Sequence, residues 1–280
     1  MRRLPLVLAL AASWSAAGSA QDSFSVLGGT QFTAGSYGGD RTVSTASVSV
    51  GVMATVGRWR WWATVPFVFQ DAATVRTIGA GMLPVGGATH TQPTGSSGGM
   101  MGGAGPAGMN DGGSSMTGHA GAGDPLLRVD ATVWGSATAT GSVALYGAVK
   151  APLASAVSGF GTGQWDQAAG ASFARHLNGV SILADAAFWH IGRAPGDPYR
   201  NVATGALSVA RALERAGQHL YGSLLATTPF VQGSQGPVQL AAGWSRRDAS
   251  RRVLSVTAGV GLTPTAPAVT LGAGWQWGLR

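Results

Sequence analysis

Cysteine is missing altogether from the 280 residues, which excludes a disulfide scaffold and a thiolate metal site. Charge is scarce. Lys150 is the one lysine, Glu214 the one glutamate, and charged side chains make up 10% of the chain, against roughly 25% in an ordinary soluble domain. A water-facing surface of this size needs more charge to stay dispersed. So few carboxylates are also a thin supply for acid–base catalysis. Long apolar runs are lacking too. After the N-terminal segment no stretch reaches the roughly 18 consecutive apolar residues of a membrane-spanning helix. There are no extended basic patches, although Lys and Arg number 18 against 11 Asp and Glu, so nucleic acid is not an expected partner. Disorder is excluded from the opposite side, because 45% of the residues are hydrophobic and a disordered chain is poorer in them.

Glycine is abundant, at 45 residues, about twice its usual share. Residues 1–20 read as an export signal. Arg2 and Arg3 supply the positive start, Leu4 to Ala12 a short apolar run, and Ala17, Gly18, Ser19 and Ala20 a small-residue cleavage stretch. An exported chain of this composition, without a spanning helix, has one route into a membrane. It closes a β-barrel, in which every backbone hydrogen bond is satisfied internally.

The period of the sequence agrees. Ala46, Val48, Val50 and Val52 alternate with Ser47, Ser49 and Gly51, and Leu254, Val256, Ala258 and Val260 with Ser255, Thr257 and Gly259. Val269, Leu271, Ala273, Trp275 and Trp277 alternate with Thr270, Gly272, Gly274 and Gln276. The repeat is 2 and not 3.6. Strands are predicted over 23–35, 42–56, 60–75, 124–135, 142–152, 164–175, 179–190, 199–211, 219–230, 237–246, 252–262 and 267–278. The fold class is therefore all-β, an antiparallel transmembrane β-barrel of about 12 strands within a range of roughly 10–14. It occupies 21–280, with a long Gly/Met-rich external loop at 76–123. The run of Ala, Leu, Arg and Glu within 202–216 suits a helix as well as a strand. Short connections at one end and longer ones at the other place the short turns, and both termini, on the periplasmic side. Interfacial aromatics are expected at both strand ends. Trp59, Trp61, Trp62, Trp134, Tyr221, Trp244, Trp275 and Trp277 serve the periplasmic end, and Tyr37, Trp165, Trp189 and Tyr199 the outer end.

Parity sorts lumen from lipid. With Leu127, Val129, Ala131, Val133, Val143, Leu145, Val149, Phe173, Ile182, Ala184 and Phe188 facing out, Arg128, Asp130, Tyr146, Lys150, Asp166 and Asp185 face in. These six are the candidate lumen-lining residues. Burying Arg or Lys in the lipid face would cost about 2–4 kcal/mol near the midplane, which supports the inward assignment. Two readings of the set stand side by side: a polar lining that sets solute preference, and an internal ion-pair network that fills a narrow barrel.

The same strands carry a resemblance. Gly121-Ala-Gly-Asp-Pro opens one strand, Val143-Ala-Leu-Tyr-Gly-Ala-Val-Lys-Ala-Pro closes the next, and Gly159-Phe-Gly-Thr-Gly-Gln-Trp-Asp follows. This resembles the outer-membrane family called MetA-pathway of phenol degradation. Asp124, Lys150, Pro152, Gly161, Gly163 and Asp166 match its pattern, whereas Leu153 and Ala154 replace the Thr-Gly after the proline. The resemblance covers about 55 residues of short, Gly-rich motif. It implies an outer-membrane barrel with a transport role, for aromatic or other hydrophobic compounds among others, and no catalytic residues.

The segment 77–123 holds Met82, Met100, Met101, Met109 and Met116 with His90 and His119. Thioether and imidazole ligands suit copper, so Met100, Met101, Met109, Met116, His90 and His119 are candidate metal ligands, against the reading of a plain surface loop or lumen plug. No Gly-x-Ser-x-Gly, His-Glu-x-x-His or P-loop occurs, so no enzyme and no cofactor is expected. The expectation is an outer-membrane barrel that passes or binds small solutes. Its expected partners are outer-membrane lipid, a small-molecule solute and the barrel-assembly machinery. The alternatives are a non-transporting structural or surface barrel whose loop binds a partner or soft metal, and a barrel hydrolase.

Overall fold

The computed structural model describes residues 22–39, 42–70, 75–78, 81–84, 119–136, 140–154, 160–194, 197–214 and 217–279. The proposed signal at 1–20 and the candidate ligands His90, Met100, Met101, Met109 and Met116 lie outside them. So do parts of the 76–123 loop.

The strands are β1 (Ser23–Gly35), β2 (Val43–Val56), β3 (Trp59–Gln70), β4 (Val75–Ile78), β5 (Gly81–Pro84), β6 (His119–Ala122), β7 (Leu126–Gly135), β8 (Gly141–Lys150), β9 (Asp166–Leu177), β10 (Val180–His190), β11 (Val202–Ala212), β12 (Gln218–Thr227), β13 (Val238–Arg247), β14 (Arg252–Gly261) and β15 (Val269–Leu279). Every pairing among the described residues is antiparallel, and the ring closes on itself, because β1 pairs with both β2 and β15 while β3 pairs with both β2 and β7. β6 and β7 both pair with β3, β6 along Phe67–Gln70 and β7 along Trp59–Thr64. They act as one interrupted strand, which makes a barrel of 12 strands. β4 and β5 form a separate hairpin.

The fourth barrel strand therefore starts at 119 and not at 124, and breaks at Gly123-Asp124-Pro125. Pro125 has no N–H to give to the ladder, and the Asp124 side chain is buried in polar contacts. Residues 202–212 are strand, not helix. Alternating burial into a closed sheet overrides the helical propensity of Ala, Leu and Arg. The turn at 178–179 is a two-residue hairpin with φ 47° at Asn178 and 80° at Gly179, the left-handed pair that tight hairpins require and Asn-Gly supplies.

Alternation is clear in the burial. Val48, Val50, Val52, Leu145, Leu207, Leu254 and Val256 are exposed, while Ser47, Ser49, Ser208, Ser223, Ser245 and Ser255 are buried. The arrangement is inverted relative to a water-soluble protein, as lipid contact on the outside requires. Placing an arginine at Leu145, mid-strand on the outer face, is expected to lower stability by about 2–4 kcal/mol. Urea unfolding in lipid vesicles measures it; an unchanged midpoint would show that this face does not meet hydrocarbon.

The aromatics correct one expectation. At the short-turn end Trp59, Trp61, Trp134 and Trp277 are exposed on the outer face, but Trp62 is buried. At the long-loop end Tyr37, Trp189 and Tyr199 are buried, and of the four residues named for that end only Trp165 is exposed. The outer group is not a lipid-facing girdle. Trp189 has the same parity as Asp185 and faces inward with it.

Candidate functional site

The structure places all six sequence-derived lumen candidates among the buried residues and gathers them into two clusters. β7, β8 and β10 build the first. Arg128 donates from Nε to Asp130 Oδ1 at 3.0 Å and from Nη2 to the same oxygen at 2.6 Å. Its Nη2 is 3.6 Å from Asp185 Oδ2, and its guanidinium lies 3.4 Å from the centroid of the Tyr146 ring. The Tyr146 hydroxyl donates to Asp185 Oδ1 at 2.8 Å. Arg60 approaches Asp130 at 3.6 Å, and Trp62 lies beside Arg128, 5.8 Å to the ring centroid. Two cations face two carboxylates, so the cluster is formally neutral. Gly170, opposite Tyr146 in the ladder, makes room for it. A Cβ there would run into the ring.

The second cluster lies toward the long-loop end. Lys150 Nζ is 2.6 Å from Asp124 Oδ2, 3.2 Å from Asp166 Oδ2 and 3.3 Å from Thr162 Oγ1. Each carboxylate has a second task. Asp124 Oδ1 accepts from Ala154 N at 2.8 Å, and Asp166 Oδ1 accepts from Gly192 N at 2.9 Å. The lysine and both aspartates are essentially inaccessible, at 1%, 3% and 0% exposure. The motif residues Asp124, Lys150, Gly161 and Asp166 thus meet at one point. A Cβ at Gly161 would sit 2.7 Å from Asp124 Oδ2. The ion cluster ties the segments at 154 and 192 to the barrel.

Sequence reasoning missed Arg60, Trp62 and Asp124 as members. Arg60 and Trp62 share inward parity, since they pair with Asp130 and Arg128, and that parity was the available signal. Asp124 was visible only as a motif residue.

Across the barrel the wall is different in kind. A cavity of about 1180 Å³ touches β1, β2, β3 and β11 to β15. Only the lumen meets strands so far apart around the ring. Its inward-facing members Ser47, Gln31, Gly272, Thr257, Gly243, Tyr221 and Ala210 are one continuous row of the ladder. They are small or neutral. Tyr221, the one large side chain among them, lies flat over Gly243 and bonds to Thr257, so it hugs the wall. One half of the lumen is filled by ion pairs and aromatics, and the other half is left open by glycine, serine and threonine.

At the long-loop end apolar side chains turn inward. Tyr37, Val43, Val68, Ala154 and Phe160 form one buried cluster. Trp189, Ile191, Tyr199, Val202 and Ala266 belong to another. His119 opens β6 opposite Gln70, and its side chain lies outside the described residues. No group of three metal-ligating His, Asp or Glu residues occurs among the described residues. His176 Nδ1 lies 2.8 Å from Ser181 Oγ, and no carboxylate among the described residues holds either. The pair lacks the third, orienting group of a hydrolytic triad.

No family model matches the sequence, and no curated protein matches it. Solved structures do. An outer membrane channel from Pseudomonas putida F1 aligns over 94% of this chain and 97% of its own, with 11% identity and a TM-score of 0.62. The KdgM porin in complex with disordered oligogalacturonate aligns over 92% and 99%, with 7% identity and a TM-score of 0.50. At these identities the likeness is one of fold: the chain has the closed antiparallel architecture of outer-membrane barrels.

Proposed function

We propose that this chain is an outer-membrane channel for small solutes, inserted with its short turns in the periplasm, and that it is not an enzyme. The cavity along the glycine, serine and threonine wall carries the reading. A barrel built only as a structural element has no need to leave half its lumen unfilled, and this one lines the cavity with an uncharged row across seven strands, four of whose seven residues are glycine, alanine or serine. The description of the Pseudomonas putida F1 protein as an outer membrane channel supports the same reading.

The finer proposal is membership of the MetA-pathway family and passage of aromatic or other hydrophobic solutes. Two observations support it. The motif residues Asp124, Lys150 and Asp166 converge on one ion cluster. The long-loop end turns Tyr37, Phe160, Trp189 and Tyr199 inward, giving an apolar entrance above an uncharged wall.

The apolar entrance also favours a second reading, a closed barrel without transport. Swelling of proteoliposomes in arabinose decides between them. The channel predicts swelling that depends on folded protein; its absence, with the protein folded and inserted, would leave the closed barrel.

A further inference from the structure

Among the described side chains of the barrel strands, every outward-facing charge is an arginine, and all lie on one arc of the short-turn end. Arg175, Arg211 and Arg246 fall within two residues of the ends of β9, β11 and β13, and Arg252 opens β14. All four are exposed, and the ion pairs among the described residues involve none of them. One step further up the outer face stand Phe173, Val209 and Leu254, also exposed. The remainder of this rim is aromatic instead, with Trp59, Trp61, Trp134 and Trp277.

We propose that this arc binds the headgroup of an anionic glycerophospholipid of the periplasmic leaflet. The guanidinium fork matches a phosphate with paired hydrogen bonds. Arginine near a membrane surface keeps its head at the headgroup level while its stem lies along apolar surface. The apolar residues directly above Arg175, Arg211 and Arg252 select a lipid over an acidic protein, because acyl chains cover Phe173, Val209 and Leu254 while phosphates meet the cations. Glu214 and Asp248, the acidic residues of the adjoining turns, are fewer than the arginines, and Asp248 is engaged by the Arg252 backbone N–H at 2.9 Å. The inference rests on the outer-membrane placement proposed above and not on conduction. A barrel that retains the lipid but passes no solute refutes the channel and leaves this site standing.

The test is native mass spectrometry of the whole folded chain in detergent with equimolar phosphatidylglycerol and phosphatidylcholine. The wild type is expected to retain phosphatidylglycerol preferentially. The R175Q/R211Q/R246Q variant is expected to lose that preference by about fivefold per arginine removed, and the corresponding triple lysine variant to keep part of it, since lysine supplies the charge without the fork. Heat-modifiable migration checks that each variant is folded. Equal retention of the two lipids by the wild type, or an unchanged preference in the glutamine variant, overturns the proposal. So does arginine-dependent binding of a polyaspartate peptide without any preference between the lipids, which would assign the arc to an acidic protein.

Discussion

Replacing Lys150 by methionine is expected to cost the barrel about 3–5 kcal/mol of stability, the scale for removing one partner from a buried ion cluster. The lysine is 1% exposed and stands between two carboxylates at 2.6 and 3.2 Å. Without it, Asp124 and Asp166 lose the ammonium that stands between them, while the Ala154 and Gly192 amides still hold them in place. The substitution keeps the volume and loses only the charge, so packing does not account for the loss. Urea unfolding in vesicles gives the number. Exchanging both aspartates for asparagine in the same background should recover much of the loss, because it removes the repulsion while preserving acceptors for the two amides. A K150M midpoint equal to wild type would mean that the cluster contributes nothing to the fold.

The second large effect belongs to Arg128→Ala. Arg128 is the hub of its cluster, in contact with Asp130, Asp185 and the face of Tyr146. Its loss turns a formally neutral wall into one with an excess negative charge and opens space beside the cavity. The ratio of cation to anion permeability should rise about threefold to fivefold, the factor from roughly 1 kcal/mol of added attraction across a wet lumen. Stability should fall by about 3–5 kcal/mol. The reversal potential in a tenfold KCl gradient reads the first effect. An unchanged potential would place the ion path away from this wall.

Much of the fold is legible in the sequence because one physical contrast is written into every strand. Lipid on one side and a polar lumen on the other force a repeat of 2, and parity carries Arg128, Asp130, Tyr146, Lys150, Asp166 and Asp185 inward. What parity does not encode is the third dimension. That Tyr146 reaches Asp185 two strands away depends on the ring lying over Gly170, which only the register reveals. The break before β7 was hidden because Asp124 and Pro125 look like the start of a strand. They are the interruption of a longer one. Among the outer aromatics, Trp189 was misplaced because position along the strand was weighed without parity, whereas Tyr37 and Tyr199 lie in loops beyond the strands, where parity gives no direction. Trp189, four residues beyond the inward Asp185, already pointed the other way in the sequence. The open wall was the least legible of all, since glycine and serine in a strand give no sign of how far the opposite wall lies.

Conductance in a planar bilayer tests the central claim most directly. The folded wild-type protein is predicted to give discrete channel openings, and a Thr257→Cys variant, otherwise free of cysteine, to lose conductance when a water-soluble thiol reagent is added, because Thr257 borders the open wall. Folded, inserted protein that shows no openings would contradict the account.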